Sequence, residues 1–236
     1  MKAVLAKEAF SDPGWIFERK LDGVRAMAIR DGKGARLVSR TGRQLNATYP
    51  ELAEALASDP CRDFVADGEI VAFKDGITSF SRLQGRMQLS DPDAARRSGI
   101  AVFFYLFDLL RVDGRDVTGL PLRERKQLLR DSLAFKGPVR FMPHRNADGE
   151  RLYREACRKG LEGLIAKRAD SRYVHGRSRD WLKLKCSHEQ ELVIGGFTAP
   201  RGSRTDFGAL LVGYNEDGEL RYAGKVGTGF GQAELA

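Results

Sequence analysis

Cysteine and histidine are scarce in this 236-residue chain, and long apolar runs are missing. Its three cysteines, Cys61, Cys157 and Cys186, are odd in number, far apart and never paired as C-x-x-C. That pattern argues against a disulfide framework and against structural zinc, and for reduced thiols in a cytoplasmic protein. The three histidines, His144, His175 and His188, lack metal-ligand spacing and read as core or surface residues. No apolar stretch is long enough to span a bilayer, and the opening MKAVLAKEAF has no signal-peptide core, so no membrane partner is expected. There is no G-x-x-x-x-G-K-[ST] loop, so any phosphate must be held by other means. Internal repeats and low-complexity segments are also missing.

What the chain does have is a folded composition, with 42% hydrophobic and 31% charged residues, and a net charge of +8. The excess of cations points to a polyanionic partner, nucleic acid before a membrane surface, because no basic amphipathic helix stands out.

The stretch Phe17-Glu18-Arg19-Lys20-Leu21-Asp22-Gly23-Val24-Arg25 sets a lysine between two carboxylates behind an aromatic, apolar lead-in. On a strand, Glu18, Lys20 and Asp22 would share one face and floor a polar site. A lysine attacks an electrophile only as the free amine, which burial and nearby cations favour. In isolation the same residues fit a solvated, ion-paired strand equally well.

Trp15 to Ile29 and Ala35 to Ser39 read as strands of a hairpin turned at Arg30 to Gly34. Helices are expected over Pro50 to Ser58, Ser79 to Met87, Leu122 to Leu133 and Glu150 to Lys159. Further strands are expected over Asp63 to Phe73, Ile100 to Leu110, Gly163 to Lys167 and Trp181 to Lys185. After a hinge at Cys186-Ser187-His188 the rhythm changes to short strands, Glu191 to Phe197, Ala209 to Tyr214 and Leu220 to Val226, with a turn at Asn215 to Gly218.

Six segments in order resemble the motifs of covalent nucleotidyltransferases, above all ATP-dependent DNA ligases. They are Lys20-Leu21-Asp22-Gly23-Val24-Arg25, Ser39-Arg40-Thr41-Gly42, Asp67-Gly68-Glu69, Phe107-Asp108-Leu109, Glu162 to Lys167 and Lys183-Leu184-Lys185. FYLFDLL, EGLIAKR and DWLKLK are similar in wording to the ligase module of bacterial end-joining ligase D. The resemblance implies an α+β fold: an ATP-grasp-like nucleotidyltransferase domain over residues 1–186, of antiparallel sheets flanked by helices. A truncated OB-fold segment over residues 187–236 follows, without the family's last basic motif.

By the same resemblance Lys20 is the nucleophile that takes AMP from ATP, and Lys183 and Lys185 clamp the phosphate. Glu18 reads the adenine amino group, as an acceptor there suits adenine and meets guanine's carbonyl badly. Phe107 stacks on the purine, Lys167 and Arg40 join the nucleotide site, and Arg25 lies near the ribose or the 5′-phosphate of a nick. Glu69 and Glu162 would bind Mg²⁺, with Mn²⁺ as the alternative. Arg25, Arg40, Arg177 and Arg179 would meet DNA, the last two from a loop before the final motif. The expected substrate is nicked or broken double-stranded DNA, with Ku and polymerase or nuclease modules as partners of a monomeric bacterial, cytoplasmic enzyme. An RNA ligase or capping guanylyltransferase shares the first motif, and a non-catalytic nucleic-acid-binding remnant is the rival of another class.

Overall fold

The protein is described here by a computed structural model covering residues 1–186, 192–200, 207–216 and 218–228. It divides into two compact units, Met1–Cys186 and Ser187–Ala236. The first unit runs β1 (Lys2–Leu5), β2 (Asp12–Arg19), β3 (Val24–Asp31), β4 (Gly34–Ser39), α1 (Pro50–Ala57), β5 (Phe64–Lys74), β6 (Ile77–Thr78), α2 (Phe80–Met87) and α3 (Pro92–Arg97). It continues with β7 (Val102–Val112), β8 (Arg115–Asp116), α4 (Leu122–Ser132), β9 (Val139–Phe141), β10 (Arg145–Ala147), α5 (Gly149–Arg158), β11 (Gly163–Arg168) and β12 (Arg177–Lys185). The second unit shows β13 (Val193–Phe197), β14 (Leu210–Glu216) and β15 (Glu219–Val226), an antiparallel sheet in that order.

Local chemistry accounts for the boundaries. The β3–β4 hairpin closes Asp31 against Gly34 through a Gly-containing turn. Pro50 opens α1, Ser79 caps α2 by accepting from the Arg82 amide, and Asp91 caps α3 by accepting from Ala94. Helix α3 and the short strands β1, β6, β8, β9 and β10 carry too few residues for a periodic signal and were not expected.

The first unit is built on two sheets. One has the order β1-β12-β11-β2-β10; the other runs β4-β3-β5-β7-β8, with β6 on β5 and β9 on β7. Pairing is antiparallel except for β1 with β12 and β7 with β9. Helices α1, α2 and α4 cover the second sheet through Leu52, Leu56, Leu83 and Leu129 over Phe64, Ile70, Phe104 and Leu106. Strand alternation sorts the first sheet. Phe17, Leu164, Ala166 and Leu184 turn to α5 and pack with Ala156, while Glu18, Ile165 and Lys183 stand in register on the opposite face.

Three expectations need correction. The strand expected from Trp15 to Ile29 is two strands in different sheets, so Glu18, Lys20 and Asp22 do not share a strand face. The chain leaves β2 at Arg19 because the Lys20 amide turns to donate to the Gly163 carbonyl (2.9 Å). It then enters β3 at Val24. Arg177 and Arg179 lie on β12, which begins at Arg177 and pairs with β1, rather than in a loop. The cysteines are not all thiols: Cys157 at the end of α5 is disulfide-bonded to Cys186 just past β12, and Cys61 alone is free. A spacing of 29 residues carries no local signal of this pair, which only the fold of α5 onto β12 brings together.

The predicted hinge at Ser187 and His188, the strand start at Glu191 and the turn residue Asp217 lie outside the described residues. No helix among the described residues is long and apolar enough to cross a membrane.

Candidate active site

A cleft in the first unit is lined from both sheets, with Glu18, Lys20, Arg25, Glu69, Phe107 and Lys167 on its walls. Lys20 sits in the four-residue crossing between them. Its backbone is anchored on Gly163 and its Nζ lies 2.5 Å from Glu162 Oε1, so both fixings come from one dipeptide at the start of β11. The other end of the crossing is held by close approach. A Cβ on Gly23 would fall 2.2 Å from the Ile70 carbonyl oxygen of β5, so only glycine fits. The Asp22 carboxylate accepts from the Phe80 amide at the start of α2.

Glu69 stands in register with Arg25 on neighbouring strands. Burial pushes its carboxyl up to about 8, with Asp67 and Glu162 adding to the rise while Arg25 and Lys20 oppose it. Glu162 Oε2 is buried and without a hydrogen-bond partner. A carboxyl short of positive charge beside an orphaned carboxylate oxygen fits a divalent cation held by Glu69 and Glu162. The described residues hold no cluster of three or more ligating side chains, so water and substrate oxygens would complete its shell.

The far end of the cleft is a buried charge cluster. Glu18 is 3% exposed, with Lys126 Nζ donating to Oε1 at 2.5 Å and Lys167 Nζ 2.6 Å from Oε2. The two lysines hold the Glu18 carboxyl below its ordinary value against a large opposing effect of burial. Lys167 is squeezed between rings, 4.2 Å from the centroid of Phe107 and 4.0 Å from that of Trp181, and burial pulls its pKa down to about 8. Trp181 and Phe107 meet edge to face at 5.8 Å. The cleft thus offers an aromatic wall, an acidic group at its far end and a lysine at its mouth.

Arg25 is committed to the scaffold. It grips buried Asp67 with two nitrogens and the Met1 carbonyl with the third, while Tyr173 donates to the same carboxylate at 2.8 Å. Exposed Arg40 lies on a second, neighbouring cleft that Arg25, Asp67 and Tyr173 also line. Lys183 is half-buried on the Glu18 face of the sheet, and exposed Lys185 is in register with Gly163. Arg177 and Arg179 are exposed at the start of β12.

The structure therefore brings Glu18, Lys20, Arg25, Glu69, Phe107, Glu162 and Lys167 together and leaves Arg177 and Arg179 apart from them. Sequence reasoning missed Lys126, Trp181, Asp67 and Tyr173. Lys126 was signalled by its place among Leu122, Arg125 and Leu129, the buried stripe of an otherwise solvated helix.

Comparison with known proteins agrees with this geometry. A family model described as ATP dependent DNA ligase domain matches residues 1–185, and one described as ATP dependent DNA ligase C terminal region matches 203–236. The chain is 41% identical over 228 residues to the multifunctional non-homologous end joining protein LigD of Pseudomonas aeruginosa, covering 94% of this chain and 26% of that protein. It is 34% identical to DNA ligase C2 of Mycolicibacterium smegmatis, covering 92% of this chain and 62% of that one. Among solved structures, a mycobacterial DNA ligase D complexed with ATP and MES superposes with a TM-score of 0.67 at 35% identity, over 99% of this chain and 73% of that chain. The ligase domain of Mycobacterium tuberculosis LigD gives 0.65 at 36% identity, again over 99% and 73%. The chain spans about a quarter of the length of the LigD proteins it matches.

Proposed function

This chain belongs to the ATP-dependent DNA ligase family, and we propose that it seals nicks or breaks in double-stranded DNA through a lysyl-AMP intermediate, in end-joining repair. The observation that carries the reading is Lys20, fixed at backbone and side chain by Glu162-Gly163 at the mouth of a cleft walled by Phe107 and ended by Glu18.

The ion pair with Glu162 opens, and Lys20 Nζ attacks the α-phosphorus of ATP as the free amine. An N–P bond forms, the α–β bridging P–O bond breaks, and pyrophosphate and a proton leave. Phe107 stacks on the purine with Glu18 at its edge, and Lys183 and Lys185 balance charge on the phosphate. A 5′-phosphate oxygen of the nick next attacks the adenylate phosphorus and frees Lys20. The 3′-hydroxyl then attacks that 5′-phosphate, forming the phosphodiester and releasing AMP. Glu69 and Glu162 would hold Mg²⁺ or Mn²⁺, which when bound would offset the negative charge developing on the phosphate oxygens.

Arg40, on the second cleft, faces the nicked strand, Arg25 lines that cleft with its Asp67 pair set to open towards the 5′-phosphate, and Arg177 and Arg179 reach flanking backbone. The boundary after residue 186 separates the adenylating domain from an OB-fold part that closes on DNA. That assignment is supported by the match over residues 203–236 and by the antiparallel sheet of the second unit. The proposed setting is a monomer in the bacterial cytoplasm, with Ku and polymerase or nuclease modules as partners; the name of the LigD relative, a multifunctional non-homologous end joining protein, supports only the end-joining role and the further modules.

Intact-protein mass after incubation with ATP and Mg²⁺ tests the reading. The expected result is one added AMP, none from GTP, and none in Lys20→Ala. A GTP adduct would select the guanylyltransferase reading. Salt-sensitive DNA binding with no adduct and no sealing of pre-adenylylated nicks would select a binding remnant.

A further inference from the structure

Lys126 has no part in the reaction described above, yet it is the most completely satisfied cation next to the cleft. Its side chain is 1% exposed and reaches from α4 behind the wall. Nζ donates to Glu18 Oε1 at 2.5 Å, to the Met142 carbonyl at 2.9 Å and, more weakly, to the Phe107 carbonyl at 3.5 Å. It also lies 4.8 Å from the centroid of the Phe141 ring. Glu18, Phe107 and Met142 all line the cleft, whereas Lys126 does not. One ammonium thus ties together three wall segments that come from β2, β7 and the end of β9.

The two lysines on Glu18 are not equivalent. Lys126 makes an aligned hydrogen bond and has backbone carbonyls to finish its shell. Among the described residues Lys167 Nζ has the Glu18 carboxylate, 2.6 Å away, as its one polar partner, with no backbone carbonyl beside it, and otherwise rests on the two aromatic faces. A lone carboxylate buried this deeply cannot lose its only counter-charge, because an unpaired buried charge is strongly unfavourable. With Lys126 in place, Lys167 can leave.

We infer that Lys126 is a positioning residue for nucleotide selection: it orients Glu18, Phe107 and Met142 to receive the purine and keeps Glu18 paired, so that Lys167 can vacate the Phe107 face when the nucleotide enters. The inference rests on the proposed nucleotide site. Without Lys126, Glu18 holds Lys167 permanently, the aromatic wall stays occupied, and the acceptor that separates adenine from guanine is no longer fixed.

The test is a single-turnover titration of lysyl-AMP formation in the whole chain, with ATP and with GTP, for wild type, Lys126→Met and Lys126→Arg. The expected result for Lys126→Met is an increase of about tenfold in half-saturating ATP, as for loss of one charge-assisted hydrogen bond. The rate at saturating ATP should stay near wild type, the preference for ATP over GTP should narrow, and Lys126→Arg should recover part of both. Melting curves run alongside, and Lys126→Gln replaces the methionine variant if that one does not fold. A folded variant with unchanged ATP dependence and unchanged selectivity would overturn the inference, as would a loss confined to the saturated rate. A wild-type chain that forms no adduct would remove the nucleotide reading itself, and this inference with it.

Discussion

Reducing the Cys157–Cys186 disulfide should lower the melting temperature of the first unit by several degrees. The bond joins residues 29 apart, and closing a loop of that size in the unfolded chain corresponds to about 3.6 kcal/mol at 25 °C. For a domain of this size each kilocalorie moves the midpoint by about 2–4 °C, so the full effect is about 7–14 °C. Native geometry gives the bond little to distort, because its partners are already close: Cys186 donates its amide to the Glu162 carbonyl at 3.1 Å, and Glu162 follows the end of α5 by a short turn. Fluorescence follows this unit selectively, since both tryptophans, Trp15 and Trp181, lie in it. Melts would be run with and without a phosphine reductant, with Cys157→Ser as the genetic equivalent. Cys61 serves as an internal control: burial pushes its thiol up, so it should label slowly in both states. The reasoning is refuted if the unreduced protein has the mass of three free thiols, or if an oxidised protein melts at the same temperature after reduction.

Two further outcomes follow from buried charge. Asp108 accepts from Arg125 Nε at 2.7 Å and Nη2 at 2.9 Å, with both side chains fully buried, so Asp108→Asn should destabilise by about 3–5 kcal/mol in urea titration. Joint replacement, Asp108→Leu with Arg125→Met, should recover much of that loss; no recovery would mean that the Arg125 bonds to Leu120 and Ser171 carbonyls dominate. On the acid side, burial with Lys126 nearby holds His144 down to about 4, against 6.5 when unfolded. Between those values the unfolded chain binds a proton that the native state refuses, so stability falls as pH drops from 6.5 to 4, by on the order of 1 kcal/mol after allowing for partial exposure. His144→Gln should flatten denaturation midpoints across that window. Glu18 acts lower: its folded value is depressed, so its contribution holds above 4.5 and is lost only as pH falls through that folded value.

Much of this was legible because strand alternation is a strict rule. Phe17, Leu164 and Leu184 could be assigned to one face, and Glu18, Ile165 and Lys183 to the other, from the period of two. The same rule failed when carried past Arg19, since periodicity says nothing of where a strand leaves its sheet. Gly23 was the available clue: a glycine between apolar strand residues marks a close backbone approach, here to Ile70. Lys126, Asp67 and Tyr173 were harder, because their partners are 108 residues away for Lys126 and Glu18 and 106 for Tyr173 and Asp67. Long-range ion pairs leave no local pattern. The disulfide was illegible for the same reason.

The position of the nucleophile follows from the same crossing. A residue inside a strand is held by ladder bonds on both sides, but its side chain is confined to one face of one sheet. A residue in a long loop can reach both sheets but is poorly fixed. Lys20 occupies the remaining case: a crossing of four residues, hydrogen-bonded to β11 at its first residue and packed closely against β5 at its last. So short a span cannot swing, and it points its lysine where faces from two sheets meet. On one side stand Glu18 and Lys167, on the other Arg25 and Glu69. Attack on a phosphorus demands reacting atoms aligned to a fraction of an ångström, and a nucleophile pinned by two sheets meets that demand through its backbone. Lengthening the crossing by one residue would keep every side chain of the cleft and still remove that alignment.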